Sequence, residues 1–402
     1  MANNNENKIL NVPHLRFPEF SGEWDSERLE NLTVSIGDGL HSTPVYCEQG
    51  DYCFINGNNI IDGKVSINEK TLRVTKEEAY KYNAALLKVD TILMSINGTI
   101  GNVALYNGEN IMLGKSACYI NPSSRIVREY LFHILSSPRI QAYFQGEVTG
   151  TTIKNLSLRT IRGSKILLPS NEEQKKIARL FSLVDERIAT QNKIIEDLKK
   201  LKSAIIDYAI DSLDTDFAKF SSLYETAGEG GTPTTSNASF YDNGKIPFVK
   251  IDDLKQKYLT ENKDFITELG LQKSSAWLVP TRSILFSNGA TIGEITITTY
   301  PVCTKQGILG IVPKSNIDVE FLYYFMSSTY FKKAVSRIVT EGTMKTAYLK
   351  DINNILCPIP IKEKQQGIAK IPSTLNSKID FEQSILRLFW AQKRHLLSQM
   401  FI

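Results

Sequence analysis

The sequence predicts an α+β protein made of two duplicated mixed α/β domains and two long coiled-coil helices, with pseudo-two-fold character. Two observations support this prediction: one internal repeat that covers most of the chain, and a heptad pattern of apolar residues that recurs at the same offset. With 402 residues, of which 42% are hydrophobic and 22% charged, the chain can bury more than one core.

The internal repeat relates the two halves of the chain. The turn Asn97–Gly101 matches Asn288–Gly293, and Thr99 and Thr291 lie 192 positions apart. A period this long indicates two duplicated domains rather than a stack of small repeats. The other matched segments keep nearly the same offset: Ile36–Gly39 with Ala227–Gly230, Leu131–Ser137 with Leu322–Ser328, Gly150–Thr151 with Gly342–Thr343, and Pro169 with Pro360.

Each repeat begins with a mixed region of short strands, turns and a helical segment. Ile92–Ile96 and Val103–Tyr106 flank an Asn-Gly turn, which is typical of a strand pair because Asn and Gly readily adopt positive φ. The second repeat has the same pattern at Ser283–Ser287 and Glu294–Thr299. Two segments are typical of helices interrupted at a Ser-Ser pair: Glu129–Phe144 and Glu320–Val335.

A long helix follows the first mixed region. Ser170–Glu173 fits a capping box, and the chain then runs to Leu213 without proline or glycine, which predicts a helix of about 40 residues. Steps of four and three from Ile177 meet apolar residues at every position except Gln191 and Lys202. At about 1.5 Å per residue, such a helix would hold two domains up to roughly 60 Å apart.

The same heptad pattern recurs at the C-terminus, 191 residues further on, with polar residues again at Glu382 and Lys393. A single helix with one apolar seam would be unstable in water, so we expect the two seams to bury each other. The alternative interpretation is that these are ordinary long connector helices, for example a dimerisation coil, but a dimerisation coil would not require a duplicated globular domain. Pro372 stands where the first helix has Phe181, so the second helix either begins near Pro372 or is kinked there.

Composition limits the cellular setting. The first eight residues are polar, and no later stretch reaches the eighteen or so apolar residues of a membrane span. The five cysteines contain no CxxC pair, which argues against a disulfide framework or a zinc knuckle. We therefore predict a soluble, unprocessed cytoplasmic protein, and the net charge of +4 does not by itself indicate a partner.

At this point the chain resembles the specificity subunits of type I restriction-modification systems. The segments that carry the resemblance span nearly the full length: Val12–Phe20, Gly22–Trp24, the two NGxxIG-like turns, Leu168–Pro169, Glu173–Ala178, Leu183–Ile188 and Gln392–Phe401. The proline at position 372 departs from the family pattern, which usually has an apolar helix former there.

The resemblance implies two target-recognition domains at residues 14–168 and 214–358, and two antiparallel helical spacers at residues 169–213 and 359–402. Each domain would read one half of a split site in double-stranded DNA. The helices would dock two methyltransferase subunits, which methylate adenine N6 with S-adenosylmethionine, and restriction or motor subunits could join. The resemblance thus implies a non-catalytic chain without its own cofactor, with S-adenosylmethionine, ATP and Mg²⁺ expected on the partners.

A self-contained methyltransferase or nuclease is the alternative from a different class. Its motifs are missing: Asn121-Pro122 continues into serines, and Gly114-Lys115-Ser116 lacks the upstream glycine of a P-loop. The four histidines have no metal-ligand spacing. A protein scaffold without DNA contact is the third possibility, and salt-sensitive DNA affinity would distinguish it.

Candidate DNA-binding residues lie on loops at matched places in the repeat. Amides suit adenine and cations suit guanine or phosphate, whereas carboxylates suit cytosine. The candidates are Asn56, Asn58 and Asn59, matched by Lys250, Asp252 and Asp253, together with the recurrent Lys154 and Lys345. Their alternative roles are ordinary turn geometry for the asparagines and plain surface exposure for the lysines. The glycine-rich turns at 95–101 and 287–293 could offer amides to phosphate, but turn geometry is the favoured interpretation.

Overall fold

The computed structural model describes residues 11–150, 154–289, 291–339 and 345–402. The chain divides into two compact units: unit 1 consists of Met1–Asn192 with Ile385–Ile402, and unit 2 consists of Lys193–Ser384. Each unit contains one mixed region and one half of each long helix.

In the described residues, the α-helices and β-strands of the mixed region of unit 1 are β1 (Asp25–Arg28), β2 (Thr33–Asp38), β3 (Tyr52–Ile55), β4 (Ile60–Ile61), β5 (Lys64–Val65), β6 (Arg73–Val74), α1 (Lys76–Lys81), β7 (Ile92–Ser95), β8 (Val103–Leu105), β9 (Ile111–Leu113), β10 (Ala117–Pro122), α2 (Arg128–Leu135), α3 (Pro138–Gly146), α4 (Leu158–Gly163) and β11 (Lys165–Leu168). The long helix α5 follows at Asn171–Asp211.

The mixed region of unit 2 repeats much of this order: β12 (Phe217–Lys219), β13 (Tyr224–Glu229), β14 (Ile246–Val249), β15 (Tyr258–Leu259), β16 (Asp264–Ile266), α6 (Glu268–Gln272), β17 (Ile284–Ser287), β18 (Ile295–Thr298), β19 (Cys303–Thr304), β20 (Ile308–Pro313), α7 (Val319–Ser327), α8 (Thr329–Ile338), α9 (Leu349–Ile352) and β21 (Leu356–Pro358). The second long helix, α10, spans Lys362–Met400.

The two units share a sheet topology. The larger sheet has the order β2-β10-β7-β8 in unit 1 and β13-β20-β17-β18-β15 in unit 2, and a three-stranded sheet lies beside each, β6-β3-β9 and β16-β14-β19. In both, the first strand of the mixed region pairs with the last, β1 with β11 and β12 with β21. The predicted strand pairs and the predicted helix interruptions, α2 to α3 and α7 to α8, are confirmed. Ser137 and Ser328 cap the second helix of each pair through their hydroxyls.

The residues of the heptad seams of α5 and α10 are buried or half-buried within each unit. In unit 1 the rings of Phe181 and Phe401 stack with centroids 5.5 Å apart, and Lys393 Nζ donates to Asp185 Oδ1 at 2.6 Å. Residue numbers increase from Phe181 to Asp185 but decrease between their partners, from Phe401 to Lys393. The two helix segments are therefore antiparallel. The repeated lysine in unit 2, Lys202, donates instead to Asn376 Oδ1 at 2.9 Å. Burial, opposed by the charge of Asp380, lowers the pKa of Lys202.

Residues 14–24 attach the N-terminal part of unit 1 to the start of α5. Ser170 Oγ caps α5 by accepting from Glu173 N at 3.3 Å, but the Glu173 carboxylate forms a bidentate pair with Arg16 at 2.7 and 2.8 Å. This pair raises the pKa of Arg16, chiefly through the side-chain hydrogen bond to Glu173. The segment Val12–Phe20 thus contributes a packing contact, since Arg16 satisfies a carboxylate that is almost fully buried.

Helix α10 does not begin near Pro372, so that alternative from the sequence is wrong. The helix starts ten residues earlier, at Lys362, and Pro372 lies inside it. Pro372 is buried, and it cannot donate a hydrogen bond to the carbonyl of Ile368 one turn before. The helix continues because packing on its buried face, rather than local propensity, fixes its path.

Candidate nucleic-acid interface

In unit 1, the predicted asparagine cluster forms a single helical turn after β3. Asn56 N donates to Asn59 Oδ1 at 3.0 Å, and Asn56 Oδ1 accepts from Ser116 Oγ at 2.8 Å. Asn59 Nδ2 donates to the carbonyl of Ser66 at 3.1 Å. Asn56 and Asn59 therefore hold the turn in shape, and the exposed side chain is that of Asn58.

The matched turn of unit 2, Ile251–Leu254, has the same construction with charged residues. Lys250 N donates to Asp253 Oδ2 at 2.9 Å, so Asp253 takes the place of Asn59. The exposed residues are Lys250, whose Nζ lies 2.7 Å from Asp264 Oδ1, and Asp252, which pairs with Lys255 at 2.8 Å. The hydrogen bond from Lys255 lowers the pKa of Asp252. The repeat therefore keeps one backbone shape while amides are exchanged for ion pairs.

A series of hydrogen bonds links the asparagine turn of unit 1 to the turn at Lys115 and Ser116, then to the turn at Asn97 and Gly98, and finally to Lys154. Gly57 N donates to Ser116 Oγ at 2.9 Å, Asn97 Nδ2 donates to the Lys115 carbonyl at 3.0 Å, and Gly98 N donates to the Lys154 carbonyl at 3.1 Å. We call this surface edge 1, and its exposed polar side chains include those of Asn58, Lys115 and Lys154.

The corresponding surface of unit 2, edge 2, is joined by similar bonds. Lys305 N donates to the Val249 carbonyl at 2.9 Å, next to the Lys250 turn, and Asn288 N donates to the Gly307 carbonyl at 3.0 Å. Ala347 N in turn donates to the Asn288 carbonyl at 2.9 Å. The exposed polar side chains of edge 2 include those of Lys250, Asp252, Lys305, Gln306 and Lys345.

The glycine-rich turns use their amides inside the protein. Gly101 N donates to the Ser95 carbonyl at 2.9 Å and Gly293 N to the Ser287 carbonyl at 3.0 Å. Gly98, Gly101 and Gly293 all have positive φ, a conformation that glycine adopts without strain. These contacts favour turn geometry over phosphate binding; Ala290 of the second turn lies outside the described residues.

The structure places the eight predicted residues on two edges, four on each. Three further exposed residues of these edges, Lys115, Lys305 and Gln306, were not among the sequence candidates. These residues sit on turns before β10 and β20 whose place beside the other loops depends on sheet pairing. Their only signal was position, since Lys115 and Gln306 are 191 residues apart. In the matched segments around Lys154 and Lys345, residues 151–153 and 340–344 lie outside the described part of the chain.

Neither a metal-binding cluster nor a membrane-spanning helix is found in the described residues. Within residues 11–150, 154–289, 291–339 and 345–402, no group of three or more His, Cys, Asp or Glu side chains is placed to hold a metal ion. In the same ranges, no helix has the length and apolar character needed to cross a membrane. The polar, partly cationic edges are the features that point to a ligand.

The fold and these edges define a two-unit protein in which one scaffold carries two chemically different polar surfaces. The sequence model of the type I restriction modification DNA specificity domain matches this chain twice, at residues 22–200 and 215–387. The chain therefore belongs to that family. Membership confirms the sequence prediction of a specificity subunit of a type I restriction-modification enzyme, a recognition subunit without catalytic activity.

Relatives and solved structures agree with this assignment. The MjaIX specificity subunit of Methanocaldococcus jannaschii is 24% identical over 373 residues, covering 87% of this chain and 86% of the relative. The EcoR124I/EcoR124II specificity subunit of Escherichia coli is 23% identical over 260 residues, covering 62% and 63%. The crystal structure of a type I S subunit from M. genitalium is 19% identical, with a TM-score of 0.54 and coverage of 97% and 99%. A chain from a study of type I complex assembly is 14% identical, with a TM-score of 0.59 and coverage of 94% and 97%. These two structures support the fold.

Proposed function

We propose that the chain directs a type I methyltransferase to a split DNA site, with edge 1 reading one half-site and edge 2 the other. The observation that carries this proposal is the matched pair of turns after β3 and β14, which have one backbone construction and different exposed groups. Asn58 offers an amide suited to adenine, whereas Lys250 and Asp252 offer a cation and a carboxylate. Two unlike half-sites require such a difference.

The proposed domain limits are residues 14–168 and 214–358 for the recognition domains, with spacers at 169–213 and 359–402. The pairing of β1 with β11 and of β12 with β21 supports these limits, because it joins the first and last strands of each mixed region. The remaining predicted residues, Asn56, Asn59 and Asp253, would act by shaping the reading turns. Lys154 and Lys345 would contact phosphates.

The proposed partners are double-stranded DNA, two methyltransferase subunits and restriction or motor subunits, which would carry S-adenosylmethionine, ATP and Mg²⁺. An exposed apolar stripe on α5 supports protein docking. Ile194, Leu201 and Tyr208 are 39%, 49% and 76% exposed, and their spacing of seven puts them on one helix face. A helical segment of the methyltransferase subunit would suit this stripe. The proposed place of action is the cytoplasm, because type I systems act on host DNA.

The test of this function is to co-express the chain with its methyltransferase subunit and to map methylated adenines across the host genome. We expect a new split motif with an unread gap. As a matched control, the variant Leu201→Glu/Tyr208→Glu should lose the partner and all methylation while the free chain keeps its DNA affinity. A purified complex of the two proteins that adds no methylation would overturn the proposal.

Phosphate contacts make a separate prediction. The variants Lys154→Ala and Lys345→Ala should each weaken binding to all DNA sequences. Each should also make the negative slope of log affinity against log salt about 1 unit less steep, because one fewer counterion is released from the DNA when the protein binds. The measurement is fluorescence anisotropy with a duplex probe at several salt concentrations. Lys219→Ala, which removes an exposed lysine bonded to Asn354, should leave the slope unchanged. Unaltered slopes for both edge variants would assign these lysines to plain surface exposure.

A further inference from the structure

Lys257 is a buried lysine that joins the reading turn of unit 2 to helix α10. It lies three residues after the turn Ile251–Leu254, and its side chain is only 3% exposed. Its ammonium group pairs with the carboxylate of Glu320 on α7 and donates to Ser373 Oγ on α10 at 3.0 Å. Its backbone carbonyl accepts from Ile297 N of β18 at 2.8 Å. Lys257 is therefore fixed to three elements.

Aromatic rings complete the surroundings of this ammonium group. The ring centres of Tyr258 and Tyr324 each lie 4.7 Å from Lys257 Nζ. Tyr258 donates to Glu320 Oε1 at 2.5 Å, and Tyr324 donates to Ser373 Oγ at 3.2 Å. A buried charge is costly unless it is paired and hydrogen-bonded, and here both partners of the ion pair are satisfied. We call these five residues the Lys257 cluster.

The matched positions of unit 1 make a different contact. His133 stands at the place of Tyr324, and its ring lies 4.9 Å from that of Phe181 on α5. In unit 2, Pro372 replaces Phe181, and Tyr324 reaches the hydroxyl of the next residue, Ser373. Unit 1 thus has an aromatic contact at this place, which is non-directional and imposes no exact geometry. Unit 2 has directional hydrogen bonds and an ion pair instead.

We propose that Lys257 is a positioning residue that fixes the base-reading turn of unit 2 against helix α10 and so sets the base preference of that half-site. The turn is held at its start by the bond from Lys250 N to Asp253 and after its end by Lys257. The exposed Asp252 therefore lies between two fixed points, and the exposed Lys250 side chain projects from the first of them. This inference rests on the proposed function of edge 2. It adds a determinant of specificity that does not itself touch DNA.

The test replaces the ion pair by apolar side chains of similar size, Lys257→Met with Glu320→Leu, in the full chain bound to its methyltransferase subunit. Apolar replacement of a buried ion pair is often neutral for stability, so the melting temperature should stay within a few degrees of the wild type. Methylation of single-base variants of the split site should then change in one half only. There, discrimination between the cognate and mismatched base should fall by about tenfold, the loss of one base-pair determinant.

The control is Lys219→Met, the same change at an exposed lysine of unit 2, which should leave both half-sites as in the wild type. A stable double variant with unchanged preference at every position would show that the cluster only stabilises the fold. Equal relaxation of both half-sites would also overturn the positioning role. If the double variant unfolds, Ser373→Ala, which removes only the hydroxyl that receives Lys257, provides the same readout. Absence of a split motif in the wild type would instead contradict the proposed function.

Discussion

Insertion of seven residues into each long helix should abolish methylation at the wild-type site and create a site with the same half-sites and a longer gap. The insertions would lie between Asn192 and Lys193 in α5 and between Ser384 and Ile385 in α10, where the two units divide. Seven residues preserve the heptad seam and add about 10 Å to each helix. At about 3.4 Å per base pair, the gap should grow by about three base pairs.

Mapping of methylated adenines in cells that express the lengthened chain would measure this change. An insertion of two residues in each helix is the matched control: it turns the apolar seam away from its partner and should give an unstable protein. Replacement of seven exposed residues without a change in length should keep the original gap. A changed half-site sequence, with the gap preserved, would mean that the helices do not act as the spacer.

The long helices could be predicted because their signals are local, and the repeat because its matched segments can be compared directly in the sequence. Ser170, the absence of proline up to Leu213 and the seam from Ile177 to Ile195 can all be recognised from neighbouring residues. The same holds for Ser137 and Ser328, whose hydroxyls cap helices three residues away. Such contacts require no knowledge of the sheet.

The roles within the candidate site could not be predicted, because they depend on contacts between distant residues. Asn56 is held by Ser116, sixty residues away in the chain. Only the folded structure therefore shows that Asn56 shapes the turn whereas Asn58 is exposed. Nothing in the sequence distinguishes Lys257 from a surface lysine. In the structure its side chain is buried, and its ammonium group pairs with Glu320 and donates to Ser373.

Pro372 shows how a local rule can be correct and still mislead. Proline does remove a helix bond, but the exchange of Phe181 for Pro372 coincides with the exchange of His133 for Tyr324, at the same offset of 191 residues. The tyrosine hydroxyl donates to Ser373, the residue that follows the proline. Comparison of the two repeats at both positions together would have indicated this compensation.

Replacement of His133 by leucine should make unit 1 more resistant to acid. Burial, with a smaller contribution from Lys393, lowers the pKa of His133 to about 3, and its ring centre lies 4.9 Å from that of Phe132 and 4.9 Å from that of Phe181. Because the unfolded chain binds the proton near pH 6.5, the stability that neutral His133 contributes is complete above that pH and is lost as the pH falls towards 3. At pH 4 the loss is about 3 kcal/mol.

The variant His133→Leu should therefore match the wild type at pH 7 within about 1.5 kcal/mol, since the volumes are similar, and exceed its stability at pH 4 by about 3 kcal/mol. Urea unfolding at several pH values measures this difference, in a Trp277→Phe background that leaves Trp24 and Trp390 to report on unit 1. His395→Leu, at an exposed histidine, should keep the acid sensitivity of the wild type. Parallel pH profiles for His133→Leu and the wild type would mean that His133 takes up its proton without cost in the folded protein.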